Sequence, residues 1–174
     1  MTLPVRTARA QPAATSFAAT AEQHLDDVYG YLVYLTRDAT LAEDLTAETF
    51  EKALKLWRRF DPRRASARTW LCQIARTTAL DWFRTEERRR RREERVAAPE
   101  RVDLALAEGL SPELETALAS LSAGEREVIA LRVLLELDGD EAARVLGVSP
   151  TAVSTRLSRA LTKLEERMSA HVAV

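Results

Sequence analysis

DEAARVLGVSPTAVSTRLSRALTKL, residues 140–164, decides the fold of the C-terminal part of this chain. A short helix opens at Asp138 and stops at Leu146-Gly147, because glycine takes the left-handed conformation that ends a helix. Val148 fills the turn. Ser149-Pro150 start the next helix with an N-cap followed by proline in the first turn. Its stripe of Val153, Leu157, Ala160, Leu161, Leu164 and Met168 recurs at helical spacing and marks the buried side. Thr151, Ala152, Ser154, Thr155, Arg156, Arg159 and Lys163 are left on the outward side. Two short helices, a glycine turn and a basic outer face make a helix-turn-helix. Hydroxyls near a helix N-terminus hold phosphate, and arginines a turn or two later read guanine or phosphate in a major groove.

Upstream of that motif, Ser111-Pro112 cap a helix lined by Leu114, Leu118 and Leu121. Ser122 with Glu125 forms a capping box for a helix carrying Val128, Ile129, Leu131, Val133, Leu134 and Leu135 inward. Residues 111–170 therefore form one small helical domain. Residues 96–110, broken at Pro99 and Gly109, read as a flexible linker, and the charged TEERRRRREERV before it could extend a helix or fray. Residues 21–95 form another helical domain. Its first helix carries Leu25, Val28, Tyr29, Leu32 and Val33 on one face. Thr40 with Glu43 is the expected capping box of the second helix, which buries Leu41, Leu45, Ala53, Leu54 and Trp57. The loop FDPRRAS follows, stopped by Asp61-Pro62. A third helix runs from Ala67 past Phe83 with Leu71, Ile74, Ala75, Thr78 and Trp82 inward. Residues 1–20, rich in Ala, Thr and Pro without periodicity, read as a disordered tail. The fold class is all-α, as scarce glycine and abundant alanine and leucine also favour.

The formal net charge is only −1, but it is sorted into blocks. Residues 22–51 carry eight acids against Arg37, and residues 52–95 carry fifteen bases against six acids. The basic block also holds Trp57, Phe60, Trp70, Trp82 and Phe83. Cations that neutralise phosphate, interleaved with rings that stack on unpaired bases, point to single-stranded nucleic acid. The acidic helix before it points to a separate, protein-facing role. One cysteine and two histidines leave no material for an internal disulfide, a multi-cysteine zinc site or Cys–His catalysis, so neither metal nor cofactor is expected and no enzyme reading is supported. Cys72 reads as a small apolar filler. No apolar run reaches membrane-spanning length, and AQPAATSFAAT is too polar for a signal-peptide core, so a soluble cytoplasmic protein is expected.

AEDLTAETFEKALKLWRRF, then ARTWLCQIARTTALDWFR, then a charged linker, then LSAGEREVIALRVLLELDGDEAARVLGVSPTAVSTRLSRALTKL resembles the extracytoplasmic-function sigma factors of bacterial RNA polymerase. The likeness spans roughly residues 22–168. It implies sigma domain 2 and sigma domain 4, and as partners core polymerase through its clamp and flap regions, promoter DNA, and an anti-sigma factor that wedges between the domains. By this resemblance Asp44, Leu45, Glu48, Thr49, Phe50 and Lys52 match the helix that grips the clamp. Arg63, Arg64, Ser66 and Arg68 match the loop that captures a flipped base of the −10 element. Trp70, Gln73, Arg76, Thr77, Asp81 and Arg84 match the helix that melts and holds that strand. Thr151, Ala152, Ser154, Thr155, Arg156 and Arg159, with Lys163 beyond them, match the −35 recognition helix.

The chain departs from the family pattern in places. Thr77 stands for a usual asparagine, Ser154 for a usual lysine, and Gly139 and Ala142 for an aromatic and an isoleucine, so the helix before the turn is expected to pack weakly. The alternative function is a stand-alone helix-turn-helix repressor that docks on duplex DNA without polymerase. A second is a protein-binding relic with a decayed −35 domain. The acidic segment Asp44–Phe50 separates the first alternative, since a repressor has no use for it.

Overall fold

The computed structural model describes residues 16–93 and 111–172, and all the regular structure in them is helical. The order is α1 (Phe17–Thr36), α2 (Ala39–Leu56) with a 3-10 turn Trp57–Arg59, α3 (Ala67–Glu93), α4 (Pro112–Ala119), α5 (Ala123–Ile129) continuing as a π turn Ala130–Leu134, α6 (Gly139–Leu146) and α7 (Pro150–Val172). The linker 96–110 and the first fifteen residues lie outside the described residues.

The N-terminal group is α1, α2 and α3 packed on one another. α1 starts at Phe17, capped by Ser16 Oγ accepting from the Ala19 amide at 3.2 Å. Residues 17–20, read as tail, are therefore helix, and Thr20 is buried. α1 ends at Arg37 in the left-handed conformation (φ 56°). Asp38, not Thr40, caps α2: its carboxylate accepts from the Leu41 amide at 2.9 Å. The tighter turn leaves Thr40 inside the helix. The charged run after Phe83 extends α3 to Glu93, held by exposed Arg89–Glu86 and Arg91–Glu87 pairs one turn apart.

In the C-terminal group the expected caps recur. Ser111 and Ser122 cap α4 and α5, Asp138 with Glu141 closes a capping box on α6, and Gly147 ends α6 at φ 66°. Three expectations fail, one of them at Leu161, placed in the buried stripe of α7 but 46% exposed. Val133 and Leu134 are half exposed, because the π turn widens the helix and rotates later side chains outward. Gly139 is the first residue of α6 and not an interior one, and Ala142 is fully buried. The small residue at 142 therefore marks close packing instead of lost bulk.

The two groups are docked. α3 packs along α6, α1 meets α5 and the π turn, and the buried apolar residues of both groups join in one cluster. This second contact explains the misassigned faces of α1. Tyr31 and Tyr34, off the expected stripe, are buried, whereas Leu25 is 48% exposed. Leu54 of α2, expected inward, is likewise exposed.

Candidate nucleic-acid interface

The loop between α2 and α3 is held by rings and by its own turn. Trp57 stacks on Phe60 with centroids 5.1 Å apart, Phe60 meets Trp70 at 5.1 Å, and Phe17 closes the cluster edge-on to Trp57 at 5.4 Å. Such ring contacts add about 0.5–1.5 kcal/mol each beyond area burial. Asp61 accepts from the Arg63 amide at 2.9 Å, an Asx turn that sets the loop's reversal. Ser66 then opens α3, accepting from the Thr69 amide. Arg63 and Arg64 are exposed at the loop tip. Trp70 is half buried as a wall of the ring cluster, which leaves only part of its surface for a base.

Along α3 the expected strand-facing residues divide. Thr77, Asp81 and Arg84 are exposed, and Arg84 pairs with Asp81 at 3.1 Å. Ser66, Arg68, Gln73 and Arg76 instead reach the C-terminal group. Arg68 forks onto Asp27 at 2.8 and 2.9 Å and gives a third hydrogen bond to the Leu135 carbonyl at 2.8 Å. That fork holds the Asp27 carboxyl below its usual range against the opposing effect of burial. Arg76 donates to Glu127 at 2.7 Å, and the Tyr31 hydroxyl donates to the same carboxylate oxygen at 3.1 Å. Ser66 and Thr69 hydroxyls donate to Glu141 at 3.0 and 2.9 Å, and Gln73 donates to the Arg144 carbonyl at 3.1 Å. Sequence reasoning missed Asp27, Tyr31, Glu127 and Glu141. The one legible signal was tyrosines at positions 31 and 34, three residues apart and off the main stripe of α1.

The helix-turn-helix presents a free outer face. Thr151, Ser154, Thr155, Arg156 and Arg159 are exposed on α7, with Ala152 half buried beside them. Ser154 and Thr155 donate back to the carbonyls of Pro150 and Thr151, which parks both hydroxyls along the helix. Lys163 is not free in the same way: it bridges to Glu125 of α5 at 3.2 Å and braces the domain.

On α2, Asp44 and Glu48 are exposed, Phe50 is half buried, and Lys52 pairs with Glu48 at 2.7 Å. Leu45 and Thr49 are interior, with the Thr49 hydroxyl bound to the Leu45 carbonyl at 2.7 Å. Both were expected at a protein interface, but helical periodicity turns them onto α1 and α3 and leaves them to position the others. Between α1 and α2 lies an open apolar groove of about 560 Å³ with Leu25, Tyr29 and Phe50 in its walls and Glu22, Asp26 and Glu43 on its rim. Among the described residues no helix is long and apolar enough to cross a membrane.

Comparison with known proteins is consistent across the chain. Residues 20–89 match the family described as Sigma-70 region 2, and residues 111–164 match Sigma-70, region 4. The ECF RNA polymerase sigma factor SigX of Bacillus subtilis is 30% identical over 154 residues, 82% of this chain and 78% of its own length. The probable RNA polymerase sigma-C factor of Mycobacterium bovis is 38% identical over 138 residues, 77% and 73% of the two chains. Among solved structures, the sigma factor RpoE of Bartonella quintana, in complex with the anti-sigma factor NepR, superposes with a TM-score of 0.76 at 26% identity, over 88% of this chain and 96% of that one. CnrH, in complex with the cytosolic domain of CnrY, gives 0.65 at 28% identity over 88% of each. With both regions matched in order and relatives covered over most of their length, the chain belongs to the ECF group of the sigma-70 family: it is an RNA polymerase sigma factor.

Proposed function

We propose that this sigma factor divides its work among three surfaces. Asp44, Glu48 and Phe50 of α2 meet core polymerase at the clamp. The loop Arg63–Ser66 and the α3 residues Arg68, Trp70, Gln73, Arg76, Thr77, Asp81 and Arg84 take the unpaired strand of the −10 element. Thr151, Ser154, Thr155, Arg156 and Arg159 of α7 dock in the major groove of the −35 element. The observation that carries this reading is charge segregation. An acidic exposed face on α2 sits beside an apolar groove, while basic side chains line the 61–66 loop, α3 and, separately, the start of α7. Like-charged DNA would be repelled from the first surface and drawn to the other two. Its role is to select promoters for an enzyme in the cytoplasm, not to catalyse. An anti-sigma factor is the fitting regulator, as NepR binds RpoE of Bartonella quintana. Leu45, Thr49 and Lys163 act as internal supports instead of contacts.

Run-off transcription with purified core polymerase tests the division. Asp44→Arg and Phe50→Ala each weaken association with core by about 1–3 kcal/mol, the range of central interface residues, with an unchanged circular dichroism spectrum. Core capture at wild-type strength by both variants would refute the polymerase surface and favour a DNA-only regulator.

A further inference from the structure

We infer that the groove between α1 and α2 is a docking site for the chain's own N-terminal segment, residues 1–15, and that core polymerase has to displace that segment. The second half rests on the reading of α2 as the polymerase surface. The groove has apolar walls, Leu25, Tyr29 and Phe50, and an acidic rim, Glu22, Asp26 and Glu43. Leu25 is half exposed although it faces another helix across the groove. Among the described residues none of the three rim carboxylates is in an ion pair. The lysines of α2 are taken, Lys52 by Glu48 and Lys55 by Glu51. An occupant that suits this site carries apolar side chains to fill it and cations to meet the rim.

Residues 1–15 have that composition. They hold Leu3 and Val5, then Arg6 and Arg9, and no acid; the first acidic residue of the chain is Glu22. They also start from the right place. Ser16 caps α1 and Phe17 packs edge-on to Trp57 at 5.4 Å, so the segment leaves the fold from a fixed point. The α1 wall of the groove begins at Ala21, about 8 Å further along the helix, and ends at Tyr29, about 20 Å along, at 1.5 Å per residue. Arg9 and Arg6 lie seven and ten residues before Ser16, a reach of about 23 and 33 Å for extended chain. A segment that turns back along α1 therefore brings Arg9 to Glu22, Arg6 towards Asp26 and Glu43, and Leu3 and Val5 onto Tyr29 and Phe50.

Charge argues against the other occupants. Two copies set groove to groove would press one acidic rim against another, and DNA would be repelled by both. Tethering makes a weak contact effective. At an effective concentration of about 1 mM, a segment with a free Kd of about 0.3 mM leaves the groove open about a quarter of the time.

The test uses the full chain, enriched in nitrogen-15, with a nitroxide on Thr7→Cys. Cys72 is fully buried with its thiol pushed up to about 12, so it does not label. Expected is broadening of the amide signals of Leu25, Tyr29, Thr46 and Phe50, while those of Thr151–Arg159 on α7 keep their intensity. Arg6→Glu with Arg9→Glu abolishes the broadening, and adding Glu22→Lys with Asp26→Lys restores it. Deleting residues 2–15 tightens binding to purified core polymerase about 4-fold, since apparent affinity scales with the open fraction. Broadening confined to residues 16–20, beside the tether, overturns the docking, whatever the deletion does to core binding. Broadening that passes from a labelled, unenriched chain to an enriched chain without the label puts a second copy's segment in the groove and overturns the intramolecular contact. Groove broadening with unchanged core binding after the deletion keeps the docking and overturns the reading of this face as the polymerase surface.

Discussion

Replacing Asp27 by asparagine isolates one joint inside the first domain, between α1 and α3, whose arginine also reaches the Leu135 carbonyl of the second. Asp27 holds Arg68 by two hydrogen bonds and also meets His24 Nδ1 at 3.2 Å. The side chains are 24% and 34% exposed, so the pair is partly solvated. A bidentate charge-assisted pair contributes about 1.5–3 kcal/mol when desolvated, and solvent screening at this exposure brings the expected loss to about 1 kcal/mol. For a chain of this size that lowers the melting temperature by about 2–4 °C. The pH dependence has a definite sign. The folded-state pKa of Asp27 lies below its ordinary value of 3.8, so the stabilisation is fully present above that value and disappears as pH falls through the folded one. Wild type should therefore melt above Asp27→Asn at pH 7, and the gap should close as pH drops below about 3.8. Calorimetry of both proteins from pH 7 to pH 2.5 measures it. Equal melting at pH 7, or a gap that persists at the acid end, would refute the claim that the carboxylate charge holds Arg68.

Arg156→Ala should weaken binding to −35 duplex and flatten its salt dependence by about one unit of slope if the contact is to phosphate, whereas an arginine reading a base costs about 1–3 kcal/mol at one sequence position. Titrations at several salt concentrations, against matched and mismatched duplexes, separate the two. Ala142→Ile should lower the melting temperature, because that position is fully buried and overpacking costs about 1–3 kcal/mol; an unchanged or higher value would mean that α6 had room to spare.

The caps and stops were legible because they are local. Ser111-Pro112, Ser122 with Glu125, Asp138 and Gly147 act through bonds within four residues of themselves, and all of them recur in the fold. Where two local candidates competed, as Asp38 and Thr40 did, the sequence could not rank them, because the α1–α2 turn geometry decides which side chain points at the free amides. The outer face of α7 was legible for the same reason: one helix period separates it from the buried stripe. Tyr31 and Tyr34 were missed because a single buried face per helix was assumed, and α1 has two; Leu25 and Leu54, assigned inward, are exposed. The π turn that exposes Val133 and Leu134 carries no composition signal at all.

The contacts between the domains were illegible for a deeper reason. Glu141 illustrates it. One of its carboxylate oxygens accepts from the Asp138 amide at 3.1 Å and completes the capping box of α6, a local role that the motif announces. Its other oxygen accepts from Ser66 and Thr69, more than seventy residues away, and nothing in the sequence near 141 announces that. A residue whose local role accounts for its presence gives no reason to look for a distant one. Arg76 presents the converse case. Its basic character signalled nucleic acid, but a guanidinium that suits phosphate suits a carboxylate equally well. Residue type specifies the chemistry of the partner, an anion, and only the fold specifies which anion is there. In this chain the arginine meets the carboxylate of Glu127, and that choice lies in the spacing of α3 against α1 and α5.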